Sequence, residues 1–336
     1  MTLPPIVPVD AGLRLERPVL LVVVDTEEEF DWSKPFDRNA RTTGSIAEQG
    51  RAHEVFARYG VQPTYVVNHA VAVSREVATL RRLVEQGLAG FGTHCHPWIT
   101  PPHEEAVTNF NSFHGNLPPA LEAAKLRSST EAVAQAFGAA PRVFKAGRYG
   151  LGPKTFDSLL ELGYCVDCSF VPDTTFAHSH GPDYLGMPAE PFFTDASRRL
   201  LEVPLTVGYG GWAWRMGRRL PALWDSPLMQ RLHVQGSLSR LNALWRARLS
   251  PEGFDAPVQK RLIDAMLAQG HRVFTLTYHS PSLVPGHTPY VRTGADLREF
   301  LDRIDIVLRH FRERGGEFST PLALWARASA AAPVAA

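Results

Sequence analysis

The chain alternates short runs of consecutive apolar residues with longer stretches in which apolar positions recur every three or four residues. The first run, VLLVVVD (19–25), is apolar at both odd and even positions up to its last residue, which predicts a strand covered on both faces. A helical period follows through IAEQGRAHEVFARYG (46–60), then a second strand-like run, QPTYVVN (62–68). The helix REVATLRRLVEQG (75–87) stops on Gly87, and AGFGTHCH (89–96) reads as the next strand. The same rhythm gives a helix over 120–138, strand RVFKAG (142–147), helix PKTFDSLLELG (153–163) and strand YCVDCSF (164–170). After RLLEVPLTV (199–207) comes a Trp- and Arg-rich excursion, then helix APVQKRLIDAMLAQG (256–270), strand RVFTLTYH (272–279) and a last helix over 294–314.

Strands alternating with helices in this way predict an α/β domain with a parallel sheet, open or closed into a barrel. No Pro/Gly/Ser-rich linker divides it, so one domain is expected over residues 1–325. Within it, a basic, Trp-rich segment is inserted at about 208–252, and residues 326–336, ending in ASAAAPVAA, read as a disordered low-complexity tail.

Composition narrows the functional classes. Lys plus Arg number 35 against 34 Asp plus Glu, a net charge of +1, so no global field marks nucleic acid or an anionic membrane as partner. The basic stretches RMGRRLPALW (215–224) and RLNALWRARL (240–249) read as solvated helix faces with inward aromatics, with an acidic or lipid-linked ligand as the minority reading. The three cysteines, Cys95, Cys165 and Cys168, form no disulfide framework and point to a reducing compartment. The N-terminus carries prolines and no continuous apolar core, and no run approaches the roughly 20 apolar residues of a membrane span. A cytoplasmic location without a transmembrane segment is the expectation.

In parallel α/β folds, ligands bind at the carboxyl ends of the strands, where loops carry side chains on a rigid support. Those ends here carry an unusual set: Asp25 and Glu27, His69, His94 and His96, Lys145 and Arg148, Asp167, Glu202, and His279. Asp25 and Glu27 stand two apart, so an extended backbone points both the same way, and two converging carboxylates call for a cation or a shared proton. His94 and His96 repeat the spacing, which lets both imidazoles reach one borderline-soft cation with Glu27 adding an oxygen. His279 ends an apolar strand where a general acid would stand, and Arg148, flanked by Gly147 and Gly150, is placed to fix a carboxylate of the site. Glu28, Glu29 and Asp31 read as solvated acids.

With these motifs in this order, residues 19 to 280 resemble the polysaccharide deacetylases of the NodB-homology type, carbohydrate esterase family 4. The resemblance implies a distorted (β/α) barrel of about seven parallel strands and a metal-dependent hydrolase that removes an N-acetyl or similar N-acyl group from a sugar of a polysaccharide or glycan precursor. It implies Asp25 as catalytic base, Glu27 and His94 as metal ligands, Arg148 with Tyr149 as the orienting motif, Asp167 as its partner, and His279 as general acid. The family's second metal histidine follows the first by four residues; Trp98 occupies that position, His96 is the substitute, and His103 and His114 stand in reserve. The implied cofactor is a divalent metal, zinc first, with nickel, cobalt or iron as alternatives. Two other readings keep the barrel: a deformylase or cyclic-amide hydrolase on a lipid-linked or small substrate, with peripheral membrane contact, and a non-catalytic carbohydrate-binding barrel.

Overall fold

The computed structural model describes residues 5–9, 15–221 and 234–330. Its centre is a curled, mainly parallel sheet. The strands are β1 (Val7–Pro8), β2 (Val19–Thr26), β3 (Thr64–Val67), β4 (Gly90–Cys95), β5 (Val143–Ala146), β6 (Val166–Asp167), β7 (Phe192–Phe193), β8 (Leu201–Glu202), β9 (Val207–Gly210), β10 (Trp245–Arg248), β11 (Val273–His279) and β12 (Glu317–Ser319). The order is β1-β7-β8-β6-β5-β4-β3-β2-β11, and β12 pairs with Val19–Leu21 of β2. The run from β8 to β11 consists of seven parallel strands, and only β1 and β7 join antiparallel. The open seam is bridged by the β9–β10 ribbon, whose base meets β11: Thr275 N–H donates to Thr206 Oγ1 at 2.7 Å and Thr277 N–H to Leu249 O at 3.3 Å.

Both faces of β2 are dry, as its unbroken apolar run predicts. Leu20, Val22 and Val24 pack under the outer helices with Phe56, Ile304 and Val307. Val19, Leu21 and Val23 pack instead with Val66, Val143, Val166 and Leu201. By the two-residue period of a strand, Asp25 belongs to this second face. The helices carry their stops in the sequence. Helix Gly50–Tyr59 ends on Gly60 in the left-handed region (φ 67°), Asp255 caps helix Ala256–Ala268 by accepting from Val258 N–H at 2.9 Å, and Thr293 with Asp296 forms a capping box on helix Gly294–Glu313.

Three expectations shift. Helix Pro321–Ala330 runs into the stretch read as tail, because Leu324 and Ala328 bury against the inner face of the sheet; residues 331–336 lie outside the described residues. The stretch 240–249 is not a helix face but ends in β10, paired with β9. Trp245 packs inward while Trp212 is 79% exposed, and residues 222–224 of the first basic stretch lie outside the described residues. Of the strand expected over 164–170, only Val166–Asp167 is regular. All three cysteines are buried and unpaired by disulfides.

Candidate active site and metal centre

The carboxyl ends of β2, β4, β5 and β11 converge on one pocket of about 380 Å³, lined by Asp25, Glu27, His94, His96, Arg148 and His279 among others. Register explains part of the convergence: His279 is the cross-strand neighbour of Asp25, and Lys145 that of His94. Curvature explains the rest. β5 lies three strands from β2, about 14 Å along a flat sheet, yet Lys145 Nζ reaches Asp25 Oδ1 at 2.5 Å and Oδ2 at 2.8 Å, and Thr277 Oγ1 on β11 at 2.8 Å. Only a sheet curled around this face brings those groups together.

Glu27, His94 and His96 form a buried donor triad. His94 Nε2 and His96 Nε2 lie 3.1 Å apart, and Glu27 Oε2 is 3.6 Å and 3.3 Å from them. Each imidazole is committed at its other nitrogen, His94 Nδ1 to Lys145 O at 2.9 Å and His96 Nδ1 to the Glu28 carboxylate at 3.0 Å. Both Nε2 atoms therefore turn lone pairs, or one shared proton, toward the same point, while Glu27 Oε1 is buried with no hydrogen-bond partner. Two imidazoles and a carboxylate that face one another without other partners fit a divalent cation. His103 and His114 stay out: the first meets Arg41 at 3.0 Å near the surface, the second Glu122 at 2.9 Å.

Electrostatics follow from these contacts. Burial opposes ionisation of Glu27, but the charge of His279 and the bonds from His94 and His96 hold its carboxyl far below the ordinary value. Burial lowers His94. It acts on His96 too, yet the charge of Glu28 and the bonds to Glu27 and Glu28 carry that imidazole up to about 10. His279 also rises to about 10 against burial, through Glu252, Glu27 and Asp25. Its Nδ1 lies 2.7 Å from Glu252 Oε2 and its Nε2 3.7 Å from Asp25 Oδ2.

Several residues change roles. Glu28 is not a solvated acid: it is fully buried, bonded to His96, to Trp98 Nε1 at 3.1 Å and to Asn68. Trp98 does not displace a ligand; its ring lies over His96 with centroids 4.2 Å apart. Asp31 is the solvated acid expected, bonded only to its near neighbours Ser33 and Lys34, and Glu29 is half-buried and accepts from Ser45 N–H at 2.5 Å. Glu28→Gln is expected to weaken metal binding about 10- to 100-fold while leaving the fold intact, measured by competition with a chromogenic chelator. Unchanged affinity would remove Glu28 from the site.

Arg148 does not reach Asp25, and Lys145 takes the place foreseen for it. The guanidinium donates instead from Nη1 to Asn109 Oδ1 at 2.9 Å and to Ser112 Oγ, and lies 4.0 Å from the Phe113 ring centroid. The turn is not made by its glycines: Arg148 (φ 53°) and Tyr149 (φ 59°) hold the left-handed conformation, at a cost of about 1–3 kcal/mol each. Gly147 serves close approach, since a Cβ there would sit 2.3 Å from Cys95 O and 2.5 Å from His96 Cδ2. Asp167 is not the partner of Arg148 either. It pairs across β6 and β8 with Glu202, and Asp167 Oδ2 and Glu202 Oε2 are buried without another partner, as in two carboxyls sharing one proton. Its Oδ1 accepts from Ser169 Oγ at 2.5 Å, and Ser169 Oγ accepts from Ala146 N–H at 2.8 Å, so Asp167 supports the loop from below the pocket.

Burial raises Asp167 to about 6 and Glu202 further. The folded chain then binds more protons than the unfolded one, so stability falls as pH rises from about 4 through 6. Asp167→Asn is expected to flatten that slope in urea unfolding of the metal-free protein; an unchanged slope would assign it to other groups. Glu252, missed in the sequence, is the group that orients His279. It lies in a loop after β10, 27 residues upstream of His279, and no local spacing marks it.

No protein-family model and no curated protein matches the sequence. Among solved structures, the chain is similar to the allantoinase PuuE, with 13% identity, a TM-score of 0.55 and coverage of 99% of this chain and 96% of that one. It is similar also to a probable polysaccharide deacetylase from Pseudomonas aeruginosa PAO1, with 13% identity, a TM-score of 0.54 and coverage of 92% and 90%. At such identities the likeness is one of fold, and the fold is the NodB-like deacetylase barrel that the motif order implied.

Proposed function

We propose that the chain is a metal-dependent amidohydrolase that removes an N-acetyl or similar N-acyl group from a sugar of a glycan or glycan precursor. The observation that carries this reading is the buried Glu27, His94, His96 triad sharing one pocket with Asp25 and His279. The triad would hold the cation, and a carboxylate with two imidazoles suits zinc, with nickel, cobalt and iron as alternatives. Bound there, the cation supplies Lewis-acid polarisation of the amide carbonyl and lowers the pKa of water toward about 7.

The chain's own residues supply the rest. Asp25 takes the proton of the attacking water, and Lys145, buried beside it, orients the carboxylate; burial alone would lower the Lys145 pKa, but Asp25 holds it above the ordinary value. His279 Nε2, 3.7 Å from Asp25 Oδ2, gives its proton to the leaving amine, with Glu252 fixing the tautomer through Nδ1. Trp32 stands edge-on to His279, ring centroids 4.9 Å apart, and with Phe30 and Tyr290 forms an apolar wall that limits water.

Acetate release from N-acetylhexosamine oligomers and precursors tests the reading. Zinc-loaded wild type should turn over, and Asp25→Asn should lower kcat by about 10²- to 10⁴-fold. A wild type that holds metal yet releases neither acetate nor formate from N-acylated sugars would sink it. The allantoinase likeness favours cyclic-amide hydrolysis as the second reading, which would show as a ring-opened acid without acetate. No helix among the described residues is long and apolar enough to cross a membrane. Action in the cytoplasm, on a precursor rather than a finished wall polymer, completes the proposal; export of a tagged chain would refute that part.

A further inference from the structure

The pocket holds more positive charge than the reaction uses. Beyond His279, which with the buried Lys145 serves Asp25, its lining includes Lys34, Arg148 and Arg248. Lys34 is accounted for: it is exposed and bridged to Asp31 at 3.1 Å. The two guanidiniums are half-buried, and neither has a carboxylate partner among the described residues. Arg148 bonds only neutral oxygens, all through Nη1, which leaves Nε and Nη2 without a hydrogen bond among the described residues. Arg248 donates from Nη1 to Tyr149 Oη at 3.3 Å and lies 5.7 Å from that ring's centroid. Phe36, Phe113 and Tyr149 surround them.

Guanidiniums placed among aromatic rings lose hydration, and no carboxylate among the described residues pairs with either one to offset the loss. Burial pulls Arg148 down to about 10, the direction of a cation that lacks a counter-ion. The two come from distant parts of the chain: Arg148 from the left-handed turn after β5, Arg248 from the end of β10 in the inserted ribbon. Tyr149 joins them, adjacent to one in sequence and bonded to the other. A chain that holds a strained turn and a ribbon against it, so that two unpaired guanidiniums line one pocket with the metal triad, is built to receive an anion there. A guanidinium fork matches a carboxylate or phosphate through two parallel N–H donors, which a neutral sugar hydroxyl cannot reciprocate.

We propose that Arg148 and Arg248 form an anion clamp beside the catalytic centre, so that the substrate is an N-acylated sugar carrying a negative group, a carboxylate or a phosphate, and not a neutral polysaccharide. The inference rests on the amidohydrolase reading for the word substrate, but the clamp itself is a matter of binding and is tested as such. It also gives the inserted segment a task, since Arg248 enters the pocket only because the β9–β10 ribbon bridges the seam.

Isothermal titration of the metal-loaded full chain at low salt, with three probes, decides it: N-acetylglucosamine, its uronic acid, and its 1-phosphate. At least one anionic probe should bind about ten-fold or more tightly than the neutral sugar. Arg248→Gln should erase most of that preference and Arg148→Gln the remainder, with weak neutral-sugar binding kept as the sign of an intact pocket. Preference for the uronic acid identifies a carboxylate as the anion, and preference for the 1-phosphate identifies a phosphoryl group. Equal binding of all three, or a preference that survives Arg248→Gln in a folded protein, overturns the clamp. Acetate release by the same samples separates the two claims: anion-selective binding without turnover keeps the clamp and removes the deacetylase, and turnover of the neutral sugar without anion selectivity does the reverse.

Discussion

Glu27→Ala, His94→Ala and His96→Ala are each expected to strip the chain of metal, from about one ion per chain in wild type to less than a tenth of that, read by plasma mass spectrometry on tag-free protein after dialysis. Each variant removes one of three donors whose ligating atoms lie within 4.8 Å of one another, and a site with two protein ligands holds zinc far less tightly. Because Glu28 and Lys145 O still orient the remaining imidazoles, the loss belongs to the missing donor and not to collapse. Any hydrolase activity should fall with the metal. A wild type that takes up no zinc, cobalt or nickel would instead leave a proton between His94 and His96 and favour the non-catalytic barrel.

The second large effect concerns the buried pair of Lys145 and Asp25. Both are nearly inaccessible, and Lys145 bonds both carboxylate oxygens. Lys145→Met leaves Asp25 charged in a dry interior, which costs about 3–5 kcal/mol. It should abolish turnover as well, since the base loses the group that orients both of its carboxylate oxygens. The double variant Lys145→Met, Asp25→Asn should recover much of the stability and none of the activity, because no charge is then left unpaired. Arg148→Met, by contrast, should change stability by about 1 kcal/mol or less. Urea unfolding of the four proteins checks the order, and an Arg148 variant as damaged as the Lys145 one would restore the sequence-based assignment of Arg148.

The contrast between those two cations marks where the sequence is legible. The longer central strands and helices are readable because a buried parallel strand announces itself as an apolar run and those helices stop at a left-handed glycine such as Gly60, Gly138 or Gly270. The pairing of Asp25 with Glu27 and of His94 with His96 was readable because a two-residue period fixes the face. Which cation meets Asp25 was not readable. It depends on how far the sheet curls between β2 and β5, a property summed over several strands and written in no single motif. Asp167 went astray for a related reason, since its partner was decided by β8 lying next to β6. Glu28 sat in plain view in a row of acids, but its burial depends on Asn68 and Trp98 closing over it.

The placement of the two histidines also bears on time. His94 lies within β4 and His96 one residue beyond its end, with β3 and β5 paired on either side, while Glu27 directly follows β2. No ligand sits on a long loop that swings away by itself, and Trp98 lies over the outer imidazole. For an ion held there to leave into the pocket, a paired strand end would have to move or three donors would have to release it in turn. An ion bound there would exchange slowly for a given affinity, so its occupancy would record the metal met during folding longer than the metal in the surrounding solution.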